Sequence, residues 1–111
     1  MVAEPRAGLA RVALAQGEPA GALAHVHKIL DYMAERPALE GAKEPLRVYL
    51  TCISVLRANG DLRANKILDK AYRMLQKRAA TIEDRNLRHA YLENVTAHRE
   101  IVALWEETSQ L

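Results

Sequence analysis

Four histidines and one cysteine are the side chains of this 111-residue chain best suited to metal or nucleophilic chemistry: His25, His27, His89, His98 and Cys52. A metal site needs such ligands to converge on one point. His25 and His27 stand two residues apart, which on a helix turns them about 200° from one another. One ion therefore cannot be held by both from the same face. A single cysteine supplies neither a CxxC pair nor an internal disulfide. Cys52 and His89 would make a nucleophile and its base if the fold joined them, yet nothing in the sequence offers a third group to orient the base, or an oxyanion site. No GxxxxGK[ST] phosphate loop and no GxGxxG turn occurs. These residues predict a non-enzymatic chain without cofactor or metal, in which the histidines are surface groups or satisfied interior ones.

Charge is the other chemistry on offer. Residues 57–78 carry seven Lys and Arg against two Asp, a local balance of +5, whereas residues 83–111 carry three Arg against six acids, a balance of −3. Within the basic stretch, Arg63, Lys66, Lys70, Arg73 and Lys77 alternate steps of three and four, so they fall within a stripe about 80° wide and about 20 Å long on one side of a helix. Such a stripe reads either as a solvated face, partly neutralised by nearby acids, or as a docking surface for an acidic partner or nucleic acid. No aromatic residue interleaves with it, which disfavours stacking on bases. Over the whole chain the net charge is only +2 and demands no nucleic-acid partner.

The elements that must carry these residues are helical. Half the residues are hydrophobic, 5% are aromatic and none is Phe, while alanine is abundant, a composition that suits helices in close contact better than a sheet. At 12.4 kDa the chain is expected to form one domain over residues 1–111. Breakers at 17–19, 37–45, 59–61, 81–84 and 94–96 divide it into six helices at about 5–16, 19–36, 43–58, 62–79, 84–93 and 97–109. Asp61 and Thr96 are candidate caps, and Gly17, Gly60 and Asn94 are candidate left-handed terminators. Cys52 sits in an apolar helical run, where a free thiol behaves as a small hydrophobe. The lone thiol and the lack of a secretory leader point to the cytoplasm. No run approaches the ~18 apolar residues of a membrane span, so no membrane partner is expected.

A repeat underlies these helices. Ala22, Val26, Ile29, Leu30 and Met33 stand at offsets 0, 4, 7, 8 and 11; the fourth helix repeats them with Ala64, Leu68, Ala71, Tyr72 and Leu75, and the sixth with Ala97, Ile101, Leu104, Trp105 and Thr108. The shared face predicts three helices seated alike, with Val26, Leu68 and Ile101 in the interior. Tyr72 and Trp105 are then equivalent core wedges, and Tyr32 and Tyr91 pack between helices.

This pattern resembles the second helix of tetratricopeptide repeats. Gly17 precedes Ala22 by five residues, as that family's turn glycine does, and Leu9, Ala10 and Ala13 fall where its first helix carries Leu, Gly and Tyr. No unit has the family's early Trp, and the steps from Ala22 to Ala64 and from Ala64 to Ala97 are 42 and 33 residues, against about 34 in the family. The stretches Val48 to Cys52, Asn59 to Ala64 and Tyr91 to Ile101 are similar to the C-terminal repeat region of large bacterial regulators that carry an NTPase module. The resemblance implies an all-α, right-handed solenoid of about three antiparallel hairpins, a module of a larger signalling or transcriptional protein. It implies a protein or peptide as partner, or a domain of the parent chain. Contacts are expected on the concave side from Arg47, Tyr49, Thr51, Ser54 and Arg88, with Tyr49 equally readable as core. Two readings compete with it: binding of nucleic acid or an acidic partner along the basic stripe, and a homodimer formed through the first helix, whose Leu9, Val12 and Leu14 lack a preceding hairpin to cover them.

Overall fold

Local chemistry sets the helix bounds. The computed structural model describes residues 3–36, 39 and 44–109, and among these the regular structure is entirely helical: α1 (Ala3–Ala15), α2 (Pro19–Glu35), α3 (Pro45–Ala58), α4 (Arg63–Ala80), α5 (Arg85–Glu93) and α6 (Thr96–Ser109). Pro19 and Pro45 open α2 and α3, where a residue without an N–H loses no helical hydrogen bond. Gly17 at φ 76° and Gly60 at φ 64° adopt the left-handed turn that ends α1 and α3. Asn94 does not: it stays right-handed at φ −96°. Asp84 caps α5, accepting the Leu87 N–H at 3.0 Å, and Asp61 accepts the Arg63 N–H at 3.0 Å at the start of α4. The expected start of the third helix at residue 43 lies outside the described residues.

α3 is the hub. It carries eight buried residues, among them Leu46, Val48, Tyr49, Cys52, Ile53 and Leu56, because it packs against α1, α2, α4 and α6 at once. A helix surrounded on most sides must be apolar on most sides. α1 meets α2 and α3 through Ala3, Ala7 and Ala10, whose small side chains permit close approach. The repeat positions Val26, Leu68 and Ile101 are all buried. The extra length between the first two units falls in the connection from Glu35 to Pro45. There Leu39 is buried although its φ is 51°, a conformation costing roughly 1–2 kcal/mol for a side-chain-bearing residue and held here by burial.

The third pair departs from the order of the first two. α6 packs on both α3 and α4, the two helices of the preceding pair, as α3 packs on α1 and α2; α5 touches only α4 and α6. α6 thus takes the position that the hairpin order expected from the repeat would give to α5. The physical reason is apolar content: α5 is nine residues long and buries none of them fully, whereas α6 brings Ile101, Leu104 and Trp105 to the core. Tyr72 and Trp105 are accordingly not equivalent wedges but direct partners, half-buried and stacked with centroids 3.9 Å apart and planes within 3°. No helix among the described residues is long and apolar enough to cross a membrane.

Two outcomes follow from this packing. Burial pushes the Cys52 thiol up to about 12, so at pH 8 a thiol reagent should leave the native protein unmodified and label it fully once guanidinium unfolds it. A double-mutant cycle of Tyr72→Ala and Trp105→Ala in chemical denaturation should give a coupling of about 0.5–1.5 kcal/mol; additive losses would mean that the rings do not stabilise one another.

Candidate functional site: a groove between α1, α3 and α6

A concavity of about 680 Å³ is bounded by α1, α3 and the start of α6. Its floor is apolar, built by Leu14, Leu50, Val95 and Ala97, and its walls are charged, with Arg11 and Arg47 on the α1 and α3 side and Glu100 on α6.

One buried hydroxyl organises the cationic wall. Thr51, only 4% exposed, donates its hydroxyl to the Arg47 carbonyl at 3.0 Å and accepts from Arg11 Nη1 at 2.8 Å. A buried polar group left unpaired would be costly, and here both donor and acceptor roles are filled. The Arg11 guanidinium is thereby held beside Arg47. Burial, and then the like charge of Arg47, pull its pKa below the ordinary value, and only Glu44 opposes them. Glu44 pairs with Arg47 at 3.3 Å, and its backbone N–H donates to Glu4 Oε2 at 3.2 Å, joining the start of α3 to α1.

Of the concave residues expected from sequence, Arg47, Thr51 and Ser54 line this groove. Tyr49 does not; it is 1% exposed, and burial raises its pKa. The spacing explains the split, since 47, 51 and 54 share one helix face while 49 is turned about 200° from 47. Arg88 also lies elsewhere. Its Nε and Nη2 donate to the Ile82 carbonyl at 2.9 and 2.6 Å, tying α5 to the turn after α4, and α5 makes no contact with α3. Arg11 and Glu100 were not singled out by the sequence, and Leu14, expected on the uncovered side of the first helix, lines the groove instead. Arg11 shares a face of α1 with Leu14, but its partner Thr51 is 40 residues away.

The basic stripe is exposed along its whole length, as its spacing predicts. Its two arginines are engaged. Arg63 Nη2 meets Asp61 Oδ2 at 2.7 Å and His27 Nε2 at 2.8 Å, and Arg73 Nε meets Asp69 Oδ2 at 2.9 Å. Lys66, Lys70 and Lys77 form no ion pair among the described residues.

The histidines are dispersed: His25 Nδ1 lies 3.2 Å from Arg6 Nη1, His27 meets Arg63, His98 Nδ1 lies 2.8 Å from the Tyr91 carbonyl, and His89 is exposed on α5. Cys52 is enclosed within α3, so the fold does not join it to His89. No group of three His, Cys, Asp or Glu among the described residues is placed to hold a metal ion. Comparisons with family models, with curated proteins and with solved structures find no match for this chain.

The turn before α4 gives a direct electrostatic check. The side-chain and backbone hydrogen bonds from Arg63 hold the Asp61 carboxyl down to about 2. A carboxyl depressed on folding stabilises the fold above its unfolded value of about 3.9, and loses that contribution as pH falls toward its folded value. In an NMR titration the Asp61 carboxyl carbon should move near pH 2, and Arg63→Ala should return its midpoint toward about 3.9; a midpoint unaffected by Arg63→Ala would contradict the pairing.

Proposed function

We propose that the chain is a non-enzymatic protein-interaction module that receives a peptide, or a surface of another protein or of its own parent chain, in the groove between α1, α3 and α6. The observation that carries this reading is the groove itself: an apolar lining of Leu14, Leu50, Val95 and Ala97 set between charged side chains. Apolar surface with a few converging polar groups is the usual character of a binding concavity. Because Thr51 already holds the Arg11 side chain and Glu44 pairs with Arg47, less ordering entropy is lost on binding, and modest contacts give useful affinity.

The tetratricopeptide-like repeat spacing supports a right-handed solenoid as the general architecture, with the third pair exchanged, and the likeness to the repeat region of bacterial NTPase-containing regulators supports a cytoplasmic signalling role. In such a protein the groove would restrain or release the NTPase by holding one of its surfaces. Homodimer formation is a second reading, favoured by one observation: Leu9 and Val12 on the outer face of α1 are 53% and 54% exposed.

Peptides selected from a random displayed library on the wild-type chain test the groove. Ser54 is exposed at its edge, so Ser54→Trp should fill the groove while changing stability by no more than about 0.5 kcal/mol. The selected peptides should bind this variant at least about tenfold more weakly, a loss near 1.4 kcal/mol, and Arg47→Glu should weaken those that carry acidic residues. Peptides that bind Ser54→Trp as tightly as wild type would place recognition elsewhere and refute the reading.

A further inference from the structure

On the other side of α3 lies a second depression, about 200 Å³, between α2 and α4, which shares no lining residue with the groove. Its floor is apolar: Leu30 is half-buried, and Met33 and Ile67 are 6% and 8% exposed. Its α4 rim carries Arg63, Lys66 and Lys70. These three cations are not equal. Arg63 is already bound by Asp61 and His27 and also feels the charge of Asp31, whereas Lys66 and Lys70 are exposed without an ion pair among the described residues. Being four residues apart, they lie one above the other on the helix, about 6 Å along its axis.

We infer that this trough is a docking surface for an acidic amphipathic helix of a partner protein, which seats one large apolar side chain over Met33 and Ile67 and sets carboxylates at i and i+4 against Lys66 and Lys70. Charge complementarity selects the partner. Two uncompensated ammonium groups beside an apolar floor match a segment with the same two features in opposite sign, and the unbranched, polarisable Met33 adapts to the shape of the inserted side chain. Nucleic acid fits less well. Tyr49, the aromatic residue that lines the trough, is too buried to stack on a base, and stacking on exposed rings is what holds single strands.

The test uses the full chain with fluorescein-labelled helical peptides that bear Leu, Met or Phe at one position and Glu at i and i+4 on the same face, read by anisotropy and by NMR. Saturable binding is expected, with shifts at the Met33 and Ile67 methyl groups. Replacing both Glu by Gln, or introducing Lys66→Glu with Lys70→Glu into the protein, should weaken it about tenfold or more. The same double variant should gain binding to a peptide with Lys in place of Glu, which a merely structural effect would not produce. Arg47→Glu, in the groove, should leave this binding unchanged, so failure of either site is seen separately. Absence of saturable binding across the peptide set, indifference to the Lys66 and Lys70 reversals, or displacement of the peptide by a single-stranded oligonucleotide at low salt would each overturn the inference.

Discussion

The enclosure of α3 is the constraint on which the rest of the structure depends. Four helices pack against it, and its buried set runs almost continuously from Leu46 to Leu56. Only a narrow strip is left open, marked by the exposed Arg47 and Ser54 and the half-buried Leu50. That strip is the groove. The site is therefore not an addition to the fold but the part of the central helix that its neighbours leave open, and the buried polar residue at its edge, Thr51, is tolerated because its hydroxyl is satisfied on both sides.

The position of α6 follows from the same demand. Once the first two pairs are stacked, α3 and α4 still present apolar surface to the next layer, part of Tyr72 included, and whichever helix buries it contributes most to stability. α5 has too little apolar surface for this, and it is shorter by five residues than the 14-residue α6. α6 takes the central position with Ile101 fully buried and Trp105 laid against Tyr72, and α5 is held at the margin by Arg88 on the Ile82 carbonyl. Because α6 starts next to the open strip of α3, its first turn becomes the third wall of the groove.

Helix positions were legible in the sequence because their signals are local. Pro19, Pro45, Gly17 and Gly60 act within one turn of chain, and the offsets of Ala22, Val26, Ile29 and Met33 define a buried face without reference to any partner. Partner choice is not local. Apolar periodicity marks Ile101 and Trp105 as inward-facing but does not say which helix they meet, so Trp105 read as the counterpart of Tyr72 when it is its contact. The groove divides likewise. Arg47, Thr51 and Ser54 are found by helix spacing alone, whereas Arg11 becomes a groove residue only through a hydroxyl 40 positions away. Of the two readings open for Tyr49, its rotation around α3 gives the core one, and Arg88 falls outside the groove because α6, not α5, packs on α3.

The basic ridge illustrates how charge counted along a sequence differs from charge available to a partner. Five cations share one face of α4, yet Asp61 lies two residues before Arg63 and Asp69 four residues before Arg73, and in each case the planar guanidinium reaches the carboxylate. Arginine is suited to such pairing because its fork matches a carboxylate, while an ammonium is a compact and strongly hydrated point charge. The two arginines are consequently neutralised within α4 and its entry turn, and the field beyond the surface comes mainly from Lys66, Lys70 and Lys77. With a screening length of about 8 Å at physiological salt, Lys77, lying about 10 Å further along the helix than Lys70, acts nearly alone, whereas Lys66 and Lys70 reinforce one another. What reads in sequence as a uniform stripe of five is, in the folded chain, one pair of cooperating ammonium groups beside an apolar floor.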